Sequence, residues 1–170
     1  MDDSIIKRNA AVIAELKTNS MRRRLTKELE KMYPLYDQIE VEFNPEGKIQ
    51  ITVLDFNKEN LLQNYRFVLT NDYPFRTPAI FFQSKPYIDF LKIRTRLPNI
   101  NFKKMTGYDC FCCHSLNCSD NWTPAFTLNH IIDEIRLIKT QKRNIIYKIF
   151  ADIVKRRFLI DDIDLDSWLF

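Results

Sequence analysis

The first third of the chain places hydrophobic residues at helical spacing. Charged residues fall between them, so the pattern predicts two amphipathic helices. The second is predicted to start from a cap at Asn19 and Ser20 and to end before Pro34, which cannot continue a helix. The two apolar faces consist of Ile6, Ala10, Ile13 and Leu16, and of Met21, Leu25, Leu29 and Met32. The other faces of the second helix are basic, which indicates either a solvated surface or a docking surface for an acidic partner.

The middle of the chain changes to the alternation of apolar and polar residues that is typical of β-strands. Four strands are predicted, at residues 39–43, 49–53, 65–69 and 79–82. The first two form a hairpin around a turn at 44–47, and a polar connection at 57–64 leads to the third. Two prolines break regular structure at 71–78, and no element is predicted for 83–96. We therefore expect an antiparallel meander of four strands.

The last third of the chain predicts two more helices. The first begins after Trp122-Thr123-Pro124, with Thr123 or Thr127 near its start and Lys139 near its end. Their apolar faces consist of Leu128, Ile131, Ile132, Ile135 and Ile138, and of Ile145, Ile146, Ile149, Phe150 and Ile153. Residues 161–170 then alternate aspartate with large apolar side chains, as in a partner-binding peptide or a segment that packs back on its own domain.

Length and pattern together predict one α+β domain over residues 1–170. The predicted order is an N-terminal helix, a four-stranded antiparallel meander, an irregular segment and C-terminal helices. The chain has 26 basic and 22 acidic residues, and its net charge of +4 is too small to predict a nucleic-acid partner without a concentrated basic face. Only Gly47 and Gly107 are glycines, which excludes Gly-rich phosphate loops.

The distribution of apolar residues along the chain predicts where in the cell the protein is found. No apolar run approaches the ~18 residues that cross a bilayer, and the N-terminus shows no cleavable apolar segment. We therefore expect no membrane partner and an intracellular protein, in the cytoplasm or also in the nucleus.

The four cysteines lie within nine positions, as Cys110, Cys112, Cys113 and Cys118, together with His114. A reducing compartment disfavours a disulfide framework and favours a metal site or a catalytic thiolate. These side chains supply enough ligands for zinc, but structural zinc sites usually join two separated ligand pairs, and this spacing is cramped. We therefore predict no metal and no cofactor, and keep a zinc-binding interaction module as an alternative.

Four segments around this cluster, in this order, resemble the ubiquitin-conjugating enzymes. They are Arg24-Leu25-Thr26-Lys27-Glu28-Leu29, residues 65–82 with Asp72-Tyr73-Pro74-Phe75, Leu97-Pro98-Asn99-Ile100, and Asn121-Trp122-Thr123-Pro124. By this resemblance the family core is 18–138, with an extra helix at 1–17 and a divergent helix and acidic-hydrophobic tail at 139–170. The departures are Leu97 in place of the family's histidine, a longer segment between 99 and 122, and no counterpart of the family's Pro-Leu-Asn loop.

The resemblance implies an α+β ubiquitin-conjugating fold and an acyl transfer. A cysteine accepts ubiquitin from an activating enzyme as a thioester, and the ubiquitin then passes to a substrate lysine, usually with a ligase. The family's apolar-Cys-apolar-x-x-Leu pattern fits Cys112 best, with Cys110 and Cys113 as alternatives. Asn99 would donate its amide to the oxyanion or hold the loop that carries the cysteine. A catalytically inactive, ubiquitin-binding adaptor of the same fold is the second alternative.

The resemblance also gives a partner surface, because ligases dock in this family on two loops beside the basic helix. The residues at these positions are Arg22, Arg23, Lys27, Phe75, Arg76, Pro124 and Ala125. The expected partners are therefore ubiquitin, the activating enzyme, a ligase and a protein substrate. The motifs do not specify which substrate, ligase or chain linkage is used.

Overall fold

The elements form a pair of helices, a sheet and a long final helix. The structure, a computed structural model, describes residues 2–56, 62–92 and 111–158, and within these ranges the chain is α+β. The helices are α1 (Asp3–Ala14), α2 (Asn19–Met32), α3 (Tyr87–Leu91) and α4 (Leu128–Phe158), with a 3-10 turn at Cys112–His114. The strands are β1 (Gln38–Phe43), β2 (Ile49–Phe56), β3 (Leu62–Val68), β4 (Ala79–Phe82) and β5 (Lys85–Pro86).

The sheet is an antiparallel meander in which the strands pair in chain order, from β1 to β5. Because side chains alternate between the two faces of a strand, the apolar positions of β1 to β4 come together in two rows on one face. The rows, read across the pairing register, are Ile39, Val53, Tyr65 and Phe82, and Val41, Ile51, Phe67 and Ile80. All eight residues are buried, so this face of the sheet forms one side of the hydrophobic core.

Helix α1 covers the edge strand β1 through one buried amide. The Asn9 side chain donates to the Ile39 carbonyl oxygen at 2.8 Å and accepts from the Val41 backbone N–H at 3.0 Å. An uncovered edge strand presents unpaired backbone groups that attract other strands, and Asn9 satisfies two of them. The helix predicted at the N-terminus therefore protects the open edge of the sheet.

The predicted hairpin, the third and fourth strands and the break at 71–78 are confirmed. The predicted meander of four strands was one strand short, because the turn after β4 leads directly into β5 and α3. Gln83 and Ser84 take positive φ angles of 50° and 62° in that turn, a conformation that apolar-polar pattern does not encode. The predicted cap of α2 was also wrong: Thr18 precedes the helix, and its side chain makes no capping hydrogen bond.

The two predicted C-terminal helices are a single helix, α4, of 31 residues. Residues 139–144 are all compatible with a helix, and neither glycine nor proline occurs between Leu128 and Phe158, so nothing in the sequence ends the first predicted helix. Thr127 lies immediately before α4. It is one of the two threonines predicted near the start of this helix. Its backbone N–H donates to the His130 ring at 3.0 Å. No helix among the described residues has the length and hydrophobicity to cross a membrane.

Glu28 of α2 is a buried carboxylate that joins separate parts of the chain. Its oxygens accept hydrogen bonds from the Tyr73 hydroxyl at 2.7 and 2.9 Å and from the Leu128 backbone N–H, the first of α4, at 3.0 Å. Arg24 pairs with the same carboxylate and donates to the Phe126 carbonyl oxygen at 2.6 Å. A negative charge is favourable at a helix N-terminus because the first N–H groups have no partner within the helix. Glu28 therefore fixes where α4 starts relative to α2 and to the loop that carries Tyr73.

We expect Glu28→Gln to lower the free energy of unfolding by about 2–4 kcal/mol, because the amide keeps the size but removes the charge that Arg24 pairs with and points an N–H at other donors. Urea unfolding measures the change. Glu30→Gln, at an exposed position of the same helix, is the matched control and should change stability by less than about 0.5 kcal/mol. Equal effects of the two substitutions would contradict the role of Glu28.

Stability should fall in alkaline solution. Burial, and then the Glu28 carboxylate, raise the pKa of Tyr73 above its ordinary value of 10.0, and burial raises the pKa of Tyr36 as well. Above about pH 10 the unfolded chain loses these protons while the folded chain keeps them, so the unfolded state binds fewer protons and stability drops as pH rises. Each such tyrosine adds a slope of up to about 1.4 kcal/mol per pH unit.

The measurement is the free energy of unfolding between about pH 9 and pH 11. Tyr73→Phe removes one titrating hydroxyl. It should therefore make the fall of the free energy of unfolding with pH less steep by up to about 1.4 kcal/mol per pH unit, whatever its effect on stability at neutral pH. Tyr147→Phe, at an exposed tyrosine of α4, is the control and should leave the slope unchanged. A slope in Tyr73→Phe equal to that of the parent protein would show that the Tyr73 hydroxyl does not titrate in this way.

Candidate functional site

The described part of the cysteine segment is a short turn between two buried anchors. Phe111 packs into the core before the 3-10 turn at Cys112–His114, and Trp122 packs into it at the far end. Between them the backbone makes successive short turns, in which Ser115 N–H donates to the Cys112 carbonyl oxygen at 3.3 Å and Cys118 N–H to the Ser115 carbonyl oxygen at 3.0 Å. The segment is therefore ordered by turns and anchors and not by pairing with the sheet.

A second carboxylate, that of Glu134 in α4, binds this segment through hydrogen bonds. One oxygen accepts from the Tyr87 hydroxyl at 2.6 Å and from the fully buried Ser115 hydroxyl at 2.5 Å. The other oxygen accepts from the Leu116 backbone N–H at 2.6 Å. Burial and the neighbouring carboxylate raise the pKa of Tyr87, so its hydroxyl stays a donor. Glu134 thus ties the turn that follows the vicinal cysteines to both α3 and α4.

Asn121 and Trp122 attach the other side of the segment. The Asn121 side-chain amide donates to the Cys113 carbonyl oxygen at 2.8 Å and to the Ser115 carbonyl oxygen at 3.1 Å. The Trp122 indole N–H donates to the Pro74 carbonyl oxygen at 2.8 Å. This last bond joins positions 48 residues apart and brings the Tyr73-Pro74-Phe75 loop against the cysteine segment.

The described cysteines differ in their access to solvent. Cys112 is partly buried and packs against the core, Cys113 is exposed, and Cys118 is partly buried. The sulfur atoms of Cys112 and Cys113 lie 4.0 Å apart. Cys110, the other alternative nucleophile, and Asn99, the predicted oxyanion donor, lie outside the described residues. The structure therefore brings two of the three candidate nucleophiles side by side on one turn.

The predicted partner surface is brought together around Trp122. Its bond to Pro74 places the loop with Phe75 and Arg76 next to the turn with Pro124 and Ala125, and all four of these side chains are exposed, Phe75 by 77%. The bond from Arg24 to the Phe126 carbonyl oxygen brings α2 to the same turn. The two predicted loops and the basic helix therefore adjoin.

The cations of α2 do not all face solvent. Arg23 and Lys27 are exposed, but Arg22 is partly buried and donates to the Leu16 carbonyl oxygen at 2.7 Å, which attaches α2 to the connection that follows α1. The Arg76 guanidinium pairs with Asp72 at 3.3 Å, and both side chains are exposed. Arg23 and Lys27 are therefore the more accessible basic residues of the predicted surface, whereas Arg22 has an internal role that sequence did not indicate.

Zinc was the alternative use of the cysteines. Within the described ranges, no group of three or more His, Cys, Asp or Glu side chains is placed to hold a metal ion. A metal ligand set that includes Cys110 lies outside these ranges.

Sequence reasoning missed Glu28, Glu134 and Asn121. The first two had a signal: Glu28 lies three residues after Leu25, and Glu134 three residues after Ile131, so each acid falls beside an apolar face where a solvated residue is not expected. Asn121 had no such signal, because the carbonyl groups that it binds become neighbours only after the cysteine segment has folded.

Comparison with known proteins gave no relative for this site: no family model, no curated protein and no solved structure matches the chain. Function therefore has to follow from the residues themselves.

We expect Glu134→Gln to loosen the cysteine segment. The amide cannot accept from the Tyr87 hydroxyl, the Ser115 hydroxyl and the Leu116 N–H together, and losing charge-assisted hydrogen bonds costs about 2–3 kcal/mol. Hydrogen exchange should accelerate at the Leu116 amide more than in the β2–β3 pair. Asp133→Asn, at the exposed neighbouring position, is the control. Unchanged exchange at Leu116 would show that Glu134 does not hold the turn.

Proposed function

We propose that the chain is a divergent ubiquitin-conjugating enzyme that carries ubiquitin as a cysteine thioester. The observation that supports this best is the hydrogen bond from Trp122 to the Pro74 carbonyl oxygen. It joins two of the four segments that resemble the family, which lie far apart in the chain, next to the turn that carries Cys112 and Cys113. The order of elements, from α2 through an antiparallel meander to α4, is compatible with the same fold.

The proposed reaction has two steps. The thiolate attacks the thioester carbonyl carbon that joins the C-terminal glycine of ubiquitin to the activating enzyme, a new carbon–sulfur bond forms, and the thiolate of the activating enzyme leaves. A substrate lysine amine then attacks the new thioester, loses a proton and forms an amide bond, and the cysteine thiolate leaves. Cysteine suits both steps because its pKa near 8.5 makes the thiolate accessible at cellular pH and a good leaving group.

Cys112 is the proposed nucleophile, with Cys113 and Cys110 as alternatives. Cys112 fits the family pattern and sits at the start of the turn that Glu134 and Asn121 hold. The sulfur atom of Cys113 is 4.0 Å away, so a thioester on either sulfur lies within reach of the other thiol. Any test of one cysteine therefore needs the double variant as well. Asn99, by the resemblance, is the proposed oxyanion donor.

The proposed docking surface for the activating enzyme and the ligase combines Phe75, Arg76, Pro124 and Ala125 with Arg23 and Lys27 of α2. Phe75 is the most exposed large apolar side chain in the described part of the chain, and aromatic side chains are frequent anchors at interfaces. Exposed cations beside it favour an acidic partner and speed encounter. Arg22 belongs to the same predicted set, and its bond to Leu16 favours a supporting role.

The test is thioester formation with activating enzyme, ubiquitin and ATP. We expect an adduct that reductant cleaves in the parent protein and none in Cys112→Ser plus Cys113→Ser. Cys112→Ser alone should convert the adduct into a reductant-resistant oxyester or abolish it, since serine forms an ester and not a thioester. Cys118→Ser, at a partly buried cysteine outside the pattern, is the matched control and should keep the adduct.

Each other outcome has a definite meaning. Loss of the adduct only in Cys110→Ser would show that the nucleophile is Cys110, and loss only in Cys113→Ser would assign it to Cys113. No adduct in the parent protein would contradict the enzymatic proposal. Binding of ubiquitin without an adduct would then support the adaptor function.

A further inference from the structure

The second half of α4 carries large apolar side chains that are exposed. Among the side chains of the helix that the structure describes, Ile138 is the last buried one, and beyond it Ile146, Phe150 and Ile153 are 64%, 58% and 44% exposed. We call these three residues the α4 stripe. Surface residues of this size occur singly on most proteins, but a row along one helix indicates an interaction surface.

The α4 stripe continues the face of the helix that packs into the core. Ile146 lies eleven residues after the buried Ile135 and Ile153 eighteen after it, close to three and five whole turns of an α-helix. Phe150 lies one turn after Ile146. The same face that packs into the core in the first half of α4 therefore carries apolar residues through its second half, where they are exposed.

Charge argues against a second copy of the helix as the occupant. Residues 142–158 contain six basic residues and one acidic residue, so two such helices side by side would bring like charges together. Arg157 is exposed and lies seven residues after Phe150 and four after Ile153, on the face of the stripe. The surface therefore favours an occupant that is both apolar and acidic.

Residues 159–170 have this chemistry. They include four aspartates, no basic residue, and the apolar residues Leu159, Ile160, Ile163, Leu165, Trp168, Leu169 and Phe170. Twelve extended residues reach at most about 40 Å, whereas the helix from Ile146 to Phe158 is about 20 Å long. The segment is therefore long enough to reverse direction after the helix and run back along it.

We propose that the α4 stripe binds residues 159–170 of the same chain. The apolar side chains of this acidic segment cover Ile146, Phe150 and Ile153, and its aspartates pair with Arg157. The interaction is independent of the thioester chemistry, so either proposal can fail without the other.

Trp168 reports on the interaction, because quenching of its fluorescence by acrylamide measures its exposure. The chain also contains the buried Trp122. The fluorescence of Trp122 is measured alone in Trp168→Phe and subtracted from that of the parent protein. We expect Trp168 in the intact chain to be quenched several-fold less than in a synthetic peptide of residues 159–170. Phe150→Ser and Arg157→Glu should each raise quenching toward the peptide value.

Two matched controls lie on the opposite face of α4. Leu137 is as exposed as Phe150 and lies nine residues, two and a half turns, before Ile146, so Leu137→Ser should leave quenching unchanged. Lys148→Glu reverses an exposed charge away from the stripe and should also have no effect. Each test variant therefore has a control with the same kind of substitution on the other face of the helix: Arg157→Glu is compared with Lys148→Glu, and Phe150→Ser with Leu137→Ser.

Three results would overturn the proposal. Trp168 in the intact chain could be quenched as readily as in the peptide, or its protection could survive both Phe150→Ser and Arg157→Glu. Protection that disappears on dilution, with a doubled mass by light scattering at high concentration, would show that the segment binds a second copy instead.

Discussion

The arrangement of this protein depends on the buried carboxylate of Glu28. A buried charge is stable only when it is paired and fully hydrogen-bonded, so its partners are held in definite positions. Here they are Arg24, the Tyr73 hydroxyl and the first N–H of α4, which come from three different parts of the chain. Apolar burial selects the face of α4 that enters the core, and a carboxylate at its first N–H sets its starting point.

The position of α4 then determines the position of the thiols. Glu134 lies six residues after Leu128, and its two oxygens hold Ser115 and Leu116, immediately after the cysteine pair. Trp122 closes the other side by its bond to Pro74, in the same loop as the Tyr73 hydroxyl that binds Glu28. Two carboxylates, the buried Glu28 and the partly buried Glu134, therefore connect the basic helix, the proline-containing loop and the cysteine turn. A change at either one should alter the position of the thiols.

Apolar periodicity predicted the helices and strands well, because burial of one face is what forms them. It missed β5, because the turn before this strand depends on the positive φ angles of Gln83 and Ser84. It also divided α4 into two helices, although no residue between Ile138 and Ile145 ends a helix. The candidate site was located by its cysteines, but its supports were not. Glu28 and Glu134 fall beside apolar faces, but periodicity does not identify their hydrogen-bond donors, because these donors lie far away in the chain. Asn121 is recognisable only once the Cys113 and Ser115 carbonyl groups converge.

The difference between the two vicinal thiols bears on selectivity in the proposed reaction. Cys113 is exposed, whereas Cys112 is partly buried and packs against the core. A half-buried thiol favours an acyl donor with a narrow end, and glycine, the C-terminal residue of ubiquitin, has no side chain to collide with the turn. In the proposed reaction a negative charge develops on the thioester carbonyl oxygen, and a side-chain amide such as that of Asn99, the proposed donor, is of the right chemical type to stabilise it. The two adjacent sulfur atoms thus differ in access to solvent: exposure favours Cys113 as the proposed nucleophile, whereas the family pattern and the narrow acyl donor favour Cys112.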